Sequence, residues 1–289
     1  MRRTMLFIPG NNPGMLQSGG VFGADSLILD LEDAVSPREK DAARLLVAQA
    51  LRTVDFRGSL PFVRINPLNA GGASDIGTIV PCKPYGLMLP KIESPEDLLA
   101  QLVMIEEAEI AGQEPVQIIP LLETPLGVAR ALEIATASPR IIALAFGAED
   151  YTAALGASRT LEGKEILTAR SLIANAAAAV QIDSIDTPFT DAQDDLGLQQ
   201  DTLTAKSMGF KGKLAINPRQ IDIIHQAFCP SSKEIEWACR VVHALEEAKN
   251  LGSGVIAVDG KMVDAPVVLR AERVITLAKQ QNLIQEVGS

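Results

Sequence analysis

The sequence predicts an α/β fold, a TIM (β/α)8 barrel followed by a C-terminal helix–hairpin–helix extension. Three observations lead there. Short apolar runs alternate with helix-like stretches eight times, with no domain-breaking linker between them, which is the pattern of a parallel sheet wrapped by helices. The polar residues fall just after those runs, where a barrel strand carries side chains out of the core to the catalytic mouth. The 289 residues suffice for one such barrel, which usually takes about 250.

Met5 to Ile8 reads as the first strand, closed by the turn residues of Pro9-Gly10-Asn11-Asn12-Pro13. Ser26 to Leu29 is the second, and it empties into Asp30, Glu32 and Asp33. Ser36 is the expected N-cap of a helix through Arg52, with Pro37 at the first helical position and Glu39 supporting the cap. Leu60 to Ile65 is the third strand, ending in Arg64 and Asn66, before a Gly-rich loop and a short helix near Ser74 to Val80. Gly86 to Leu89 is the fourth, ending in Pro90-Lys91, before a helix from Ser94 to Ala111. Two longer runs follow, Val116 to Leu122 ending in Glu123 and Ile141 to Ala148 ending in Glu149-Asp150, with a helix from Pro125 to Ala135 between them. The seventh strand is short, near Gln181 to Ile185, and is followed by Asp186-Thr187. A helix from Asp194 to Met208 leads to the eighth, Gly212 to Ile216, which ends in Asn217.

Residues 1–228 thus form the expected catalytic barrel. Residues 229–289 form an extension expected to pack on the barrel or on a neighbouring subunit. In it, helices from Lys233 to Asn250 and from about Ala265 to Asn282 flank a hairpin turning at Asp259-Gly260, a favoured two-residue turn.

Composition narrows the function. With 26 basic and 36 acidic residues the net charge is −10, which argues against a general nucleic-acid or anionic-membrane surface. The apolar part of the N-terminus lasts about five residues before Pro9-Gly10, shorter than a secretory signal core, and no run approaches the roughly 20 residues of a membrane span. Cys82, Cys229 and Cys239 read as reduced thiols of a cytoplasmic protein. The 47% hydrophobic residues include only 4% aromatics, so the core is mainly Leu, Ile, Val and Ala.

The candidate chemistry lies at the strand ends. Glu123 and Asp150 are the pair expected to hold one divalent metal ion, since Mg²⁺ takes few protein carboxylates and keeps waters and open positions for substrate oxygens. The alternative is that each acid offsets the dipole of the helix after it. Arg64 would point into the same mouth and meet a carboxylate or enolate oxygen, or form a salt bridge to Asp30, Glu32 and Asp33. Those three acids are expected to orient Arg64 or Lys91 rather than to bind metal directly. A Schiff-base role for Lys91 is disfavoured because neighbouring acids keep it charged. His225 and His243, the two histidines, both lie in the C-terminal helical region, which argues against a histidine metal site or base. There is no Gly-x-Ser-x-Gly elbow and no phosphate loop. The glycines at 19–23 precede a strand, the wrong order for a dinucleotide site.

Eight strings, RTMLFIPG at 3–10, LDLEDAV at 29–35, VRIN at 63–66, PK at 90–91, ETPLG at 123–127, FGAEDY at 146–151, INPRQI at 216–221 and GKMVD at 260–264, stand in one order over nearly the whole chain. Together they resemble the citrate lyase beta subunits, within the HpcH/HpaI aldolase/citrate lyase family that includes the malyl-CoA lyases. The resemblance implies a Mg²⁺-dependent carbon–carbon lyase, with Mn²⁺ a substitute, that converts a citryl thioester of CoA or an acyl carrier protein to oxaloacetate and an acetyl thioester. It implies Glu123 and Asp150 as metal ligands, and Arg64 as a catalytic group that contacts substrate. Asp264 is implied as an acid/base that reaches a neighbouring subunit's site, in a homo-oligomer expected to be a trimer. Arg3, Lys91 and Asn217 are the further expected substrate contacts. Malyl-CoA or methylmalyl-CoA lyase or thioesterase activity is the alternative, as is a subunit that turns over only with citrate lyase alpha and gamma partners.

Overall fold

The computed structural model describes residues 2–250, 256–258, 261–281 and 283–284, and the chain divides into two compact units, 1–225 and 226–289. In the first, β1 (Thr4–Pro9), β2 (Ser26–Asp30), β3 (Leu60–Arg64), β4 (Gly86–Leu89), β5 (Gln117–Leu122), β6 (Ala143–Phe146), β7 (Asp183–Asp186) and β8 (Gly212–Ala215) form a closed parallel barrel in sequence order. β8 closes it by pairing with β1, Lys213 opposite Thr4. The helices are α1 (Pro13–Ser18), α2 (Lys40–Thr53), α3 (Gly72–Ile79), α4 (Pro95–Ala108), α5 (Pro125–Ala129), α6 (Ala131–Ala135), α7 (Ala148–Leu155), α8 (Leu167–Ala179), α9 (Asp195–Ser207) and α10 (Gln220–Phe228).

Strand side chains alternate between the barrel interior and the helix layer. Met5, Ile28, Phe62, Met88, Ile119, Leu121, Ala143, Ala145, Ile185 and Leu214 fill the interior, each at most 2% exposed. Truncating the largest of these, Phe62, would cost about 3–5 kcal/mol through lost transfer energy and the cavity left behind. The same phase carried two residues further, past Ile28, Phe62, Leu121, Ala145, Ile185 and Leu214, reaches Asp30, Arg64, Glu123, Gly147, Thr187 and Ile216. All six line one cavity at the C-terminal ends of the strands.

Several helix starts follow their sequence signals. Ser94 Oγ accepts from Asp97 N, Thr124 Oγ1 from Gly127 N and Asp194 Oδ1 from Gly197 N, each satisfying a donor of the first turn. Two expectations are corrected. The helix expected from Ser36 begins at Lys40, because Ser36 Oγ donates to Glu39 Oε2 and the two close a turn of their own. The single helix expected from Pro125 to Ala135 is two short ones that meet at Arg130.

In the second unit α11 (Ser232–Asn250) packs against α12 (Ala265–Gln280) around Ala238, Val241 and Ala271. Between them β9 (Ile256–Val258) and β10 (Lys261–Val263) pair antiparallel, with Val258 and Val263 buried against the helices. The expected turn residues Asp259-Gly260, and the expected helix end at Asn282, lie outside the described residues.

Candidate active site

At the end of β3 the Arg64 guanidinium is clamped by Asp30, with Nε 2.7 Å from Oδ1 and Nη2 2.6 Å from Oδ2. This fork-to-fork pairing fixes the plane of the group. Nη1 lies 2.9 Å from Glu32 Oε2 and 3.4 Å from Asp33 Oδ2, and Phe7 holds the guanidinium from one face at 4.8 Å. Burial works against the charge, but the hydrogen bonds and charge of Asp30, then Glu32 and Asp33, outweigh it, so Arg64 holds its proton more tightly than usual. Asp30 is in turn fixed by backbone N–H groups of Glu32 and Ala34. The salt bridge and the position in the mouth, read from sequence as alternatives, are both present.

Glu123 emerges from β5 and is 3% exposed. It is not the cap of the following helix, a part taken by Thr124. Its Oε1 accepts from Lys91 N at 2.9 Å. A methyl group at Gly147 would stand 2.8 Å from both Glu123 Cβ and Oε2, so the glycine makes room for this carboxylate. Burial, then the charges of Glu32 and Asp150, push Glu123 up to about 8. Burial pushes Glu32 up to about 7 against the pull of Arg64.

Asp150 sits in the first turn of α7, so the dipole role is compatible with its position. Its side chain is 43% exposed, and Oδ2 lies 3.3 Å from Lys91 Nζ. Lys91 Nζ is also 3.7 Å from Glu32 Oε1. For Lys91, burial opposes the charge while Glu32 and Asp150 favour it more, which raises its proton affinity. Asp30, Asp33, Arg64, Glu123 and Asp150 line a cavity of about 440 Å³ whose walls include Phe7, Met15, Leu121 and Ile216.

The donor set fits a hard divalent cation. Among the described residues, the carboxylates of Asp30, Glu32, Asp33, Glu123 and Asp150 surround two side-chain cations, Arg64 and Lys91. Glu32 Oε2 is buried without a hydrogen bond, since its ion pair with Arg64 lies outside hydrogen-bond geometry. Among the described residues no three His, Cys, Asp or Glu side chains form a cage on their own. A sparse, all-oxygen set of side chains is the kind that suits Mg²⁺.

Other expected residues lie elsewhere. Arg3 precedes β1, at the opposite end of the barrel from the mouth, and forks onto Asp25 with Nε 2.9 Å from Oδ2 and Nη2 2.8 Å from Oδ1. That fork keeps its guanidinium apart from the residues that line the cavity. Asn217 is one residue past the inward-facing Ile216, and its Oδ1 accepts from Arg219 N in a local turn; it does not line the cavity. Asp264 is exposed in the second unit and caps α12, accepting from Val267 N at 3.2 Å. His225 Nε2 lies 2.8 Å from Thr4 Oγ1, beside Asp25.

Phe7, Gly147 and Thr187 were not singled out from sequence. Thr187 is fully buried in the cavity wall, and its Oγ1 accepts from Ala148 N at the start of the helix bearing Asp150. Their signal is the period-two phase from the core, which extends to non-ionisable residues as readily as to acids.

Residues 3–218 match the family model of HpcH/HpaI aldolase/citrate lyase. The chain is 45% identical to citrate lyase subunit beta of Leuconostoc mesenteroides subsp. cremoris, over 100% of this chain and 97% of that one. It is 33% identical to mitochondrial citramalyl-CoA lyase of Homo sapiens, over 96% and 85% of the two chains. The crystal structure of the protein CitE from Mycobacterium tuberculosis in complex with magnesium, acetoacetate and coenzyme A is 32% identical, with a TM-score of 0.80 over 96% of this chain and 98% of that one. A closed parallel barrel, an acidic mouth built on Arg64, and matches that run the length of the chain agree: this protein belongs to the HpcH/HpaI aldolase/citrate lyase family.

Proposed function

We propose that this lyase cleaves a citryl thioester, carried on CoA or on an acyl carrier protein, to oxaloacetate and an acetyl thioester, with Mg²⁺ as cofactor and Mn²⁺ as a substitute. The observation that carries the reading is the meeting of Glu123 and Asp150 with the Asp30-clamped Arg64 around one cavity. Full-length similarity to a citrate lyase subunit beta supports the choice of acyl group, and the complex of a neighbour with magnesium and coenzyme A supports the cofactor and the thioester.

Glu123 and Asp150 would hold the metal, with Glu32 and Lys91 around them. When bound, Mg²⁺ would supply Lewis-acid polarisation of the substrate hydroxyl that becomes the carbonyl. Arg64 would meet the negative charge that builds on the thioester enolate as the carbon–carbon bond breaks. Asp30 occupies Nε and one Nη2 hydrogen and Asp33 one Nη1 hydrogen, which leaves one hydrogen on each Nη for substrate. Because Asp30 and Phe7 hold the guanidinium in place, little reorganisation is needed at that moment. Asp264 from a second copy would give a proton to the acetyl carbanion, or remove one in the reverse direction. That assigns the second unit a role in a shared site and implies a homo-oligomer, a trimer, with alpha and gamma subunits as further partners. A cytoplasmic setting suits three cysteines that remain as thiols. No helix among the described residues is long and apolar enough to cross a membrane.

Similarity to a citramalyl-CoA lyase, and 34% identity to a (3S)-malyl-CoA thioesterase of Cereibacter sphaeroides, favour a second reading in which the same mouth acts on a malyl-type thioester. A panel of citryl-, citramalyl-, malyl- and methylmalyl-CoA, assayed with Mg²⁺ and with chelator, separates the two. Citryl-CoA cleavage faster than the others and lost with chelator is the expected result. A preference for a malyl-type thioester would replace the first reading with the second, and no turnover without added alpha and gamma subunits would mark a chain active only in a complex.

A further inference from the structure

Lys91 stands out because its backbone and its side chain serve the same acids from different directions. Its φ of 53° is left-handed, an uncommon conformation for a residue other than glycine that a local contact can hold. The holding contact is its own N–H, which donates to Glu123 Oε1 at 2.9 Å. β4 ends at Leu89, and the interior phase from Met88 falls on Pro90, so Lys91 would otherwise turn away from the mouth. The left-handed turn instead accompanies an ammonium 3.3 Å from Asp150 Oδ2 and 3.7 Å from Glu32 Oε1.

We infer that Lys91 is a positioning residue whose ammonium competes with the metal ion for the acidic mouth, while its backbone N–H keeps Glu123 aimed at that ion. The inference rests on the reading of Glu123 and Asp150 as metal ligands and concerns what regulates their occupancy. An ammonium beside Asp150 balances part of the excess carboxylate charge whenever the metal is away, which keeps the acids from repelling one another out of place. The Lys91 side chain is 45% exposed, so it can turn into solvent without breaking the backbone bond to Glu123. An ordinary surface ion pair would not combine a strained backbone, a bond to one expected ligand and a charge on the other. A nucleophilic amine needs to shed its proton, and two acids at these distances work against that.

The ammonium lies against a carboxylate that would also hold the metal, so removing its charge should tighten metal binding. A unit charge about 6 Å from a dication in a water-like dielectric changes affinity about tenfold. The test is calorimetric titration of the full chain with Mg²⁺ at low salt, comparing wild type with Lys91→Gln, Lys91→Gly, Lys91→Arg and Asp150→Asn. Lys91→Gly suits the left-handed backbone and guards against a Gln variant that folds poorly. We expect both neutral variants to bind Mg²⁺ about tenfold more tightly, Lys91→Arg to bind like wild type, and Asp150→Asn to bind more weakly. Unchanged or weaker binding by both neutral variants, with Asp150→Asn still weakened, overturns the competition and leaves the metal site standing. Wild-type protein that binds no Mg²⁺, or Asp150→Asn that binds as wild type, overturns the metal reading and the inference with it.

Discussion

Gly147→Ala separates the placement of the Glu123 carboxylate from everything else in the barrel. Gly147 has φ −106° and ψ 90°, which alanine adopts freely, so the change acts through space rather than through backbone strain. The new methyl would stand 2.8 Å from Glu123 Cβ and Oε2, and restoring an ordinary contact of 3.4 Å requires a shift of 0.6 Å. That exceeds the roughly 0.5 Å within which a binding constellation has to be held. Overpacking of this kind costs about 1–3 kcal/mol of stability, and displacing a group that orients a metal site costs about 10–100-fold in metal affinity. Calorimetric Mg²⁺ titration and thermal melting of wild type, Gly147→Ala and Gly77→Ala make the comparison. Gly77 lies exposed within α3 with open space around it, so Gly77→Ala should leave Mg²⁺ binding alone and stabilise by about 0.5–1 kcal/mol. Wild-type Mg²⁺ affinity in folded Gly147→Ala would refute the argument that this glycine sets the position of Glu123.

Glu123, raised to about 8 chiefly by burial, has to lose its proton to bind metal, so Mg²⁺ affinity should rise from pH 6 to pH 8.5 with proton release detectable in buffers of different ionisation enthalpy. In chelator the sign for folding is opposite: a raised folded-state value gives stability that is full below about 4.5 and is lost as pH rises through about 8, so metal-free melting temperature should fall across that window, and a rise would contradict the assignment. Lys213→Met leaves Asp186 and part of Asp201 without the ammonium that sits 2.6 Å from each, and urea melting should show a loss of about 3–5 kcal/mol; an unchanged midpoint would mean the buried network adds nothing. Mixing Asp264→Ala with Arg64→Ala subunits should restore part of the activity that each lacks, whereas demonstrated subunit exchange without recovery would count against a shared site.

The barrel was readable because eight apolar runs each end in polar residues, and the closed strand order follows from them. The mouth was readable for the same reason at Asp30, Arg64, Glu123 and Asp150. Arg3 stands apart from the mouth because it precedes its strand, and a charge before a strand has apolar neighbours much like those of a charge after one. Asn217 stands a single residue out of phase with the mouth, since Ile216 takes the inward position. Ser36 had the composition of a cap, but its hydroxyl found Glu39 first. What sequence could not give was lateral pairing. Arg170 on α8 and Asp201 on α9 reach Asp186 and Lys213 on β7 and β8, and these contacts join residues that no local pattern relates. The left-handed turn at Lys91 was hidden likewise, because the carboxylate that its N–H meets lies 32 positions away.

Turnover of citryl-CoA by Asp150→Ala is the decisive test of a Mg²⁺-dependent lyase site on Glu123 and Asp150. Asp150 is partly exposed at the start of α7, so its removal should leave the barrel folded by circular dichroism and melting. Folded Asp150→Ala should show no Mg²⁺-dependent cleavage, beside an active wild type. Wild-type turnover in the variant would contradict it.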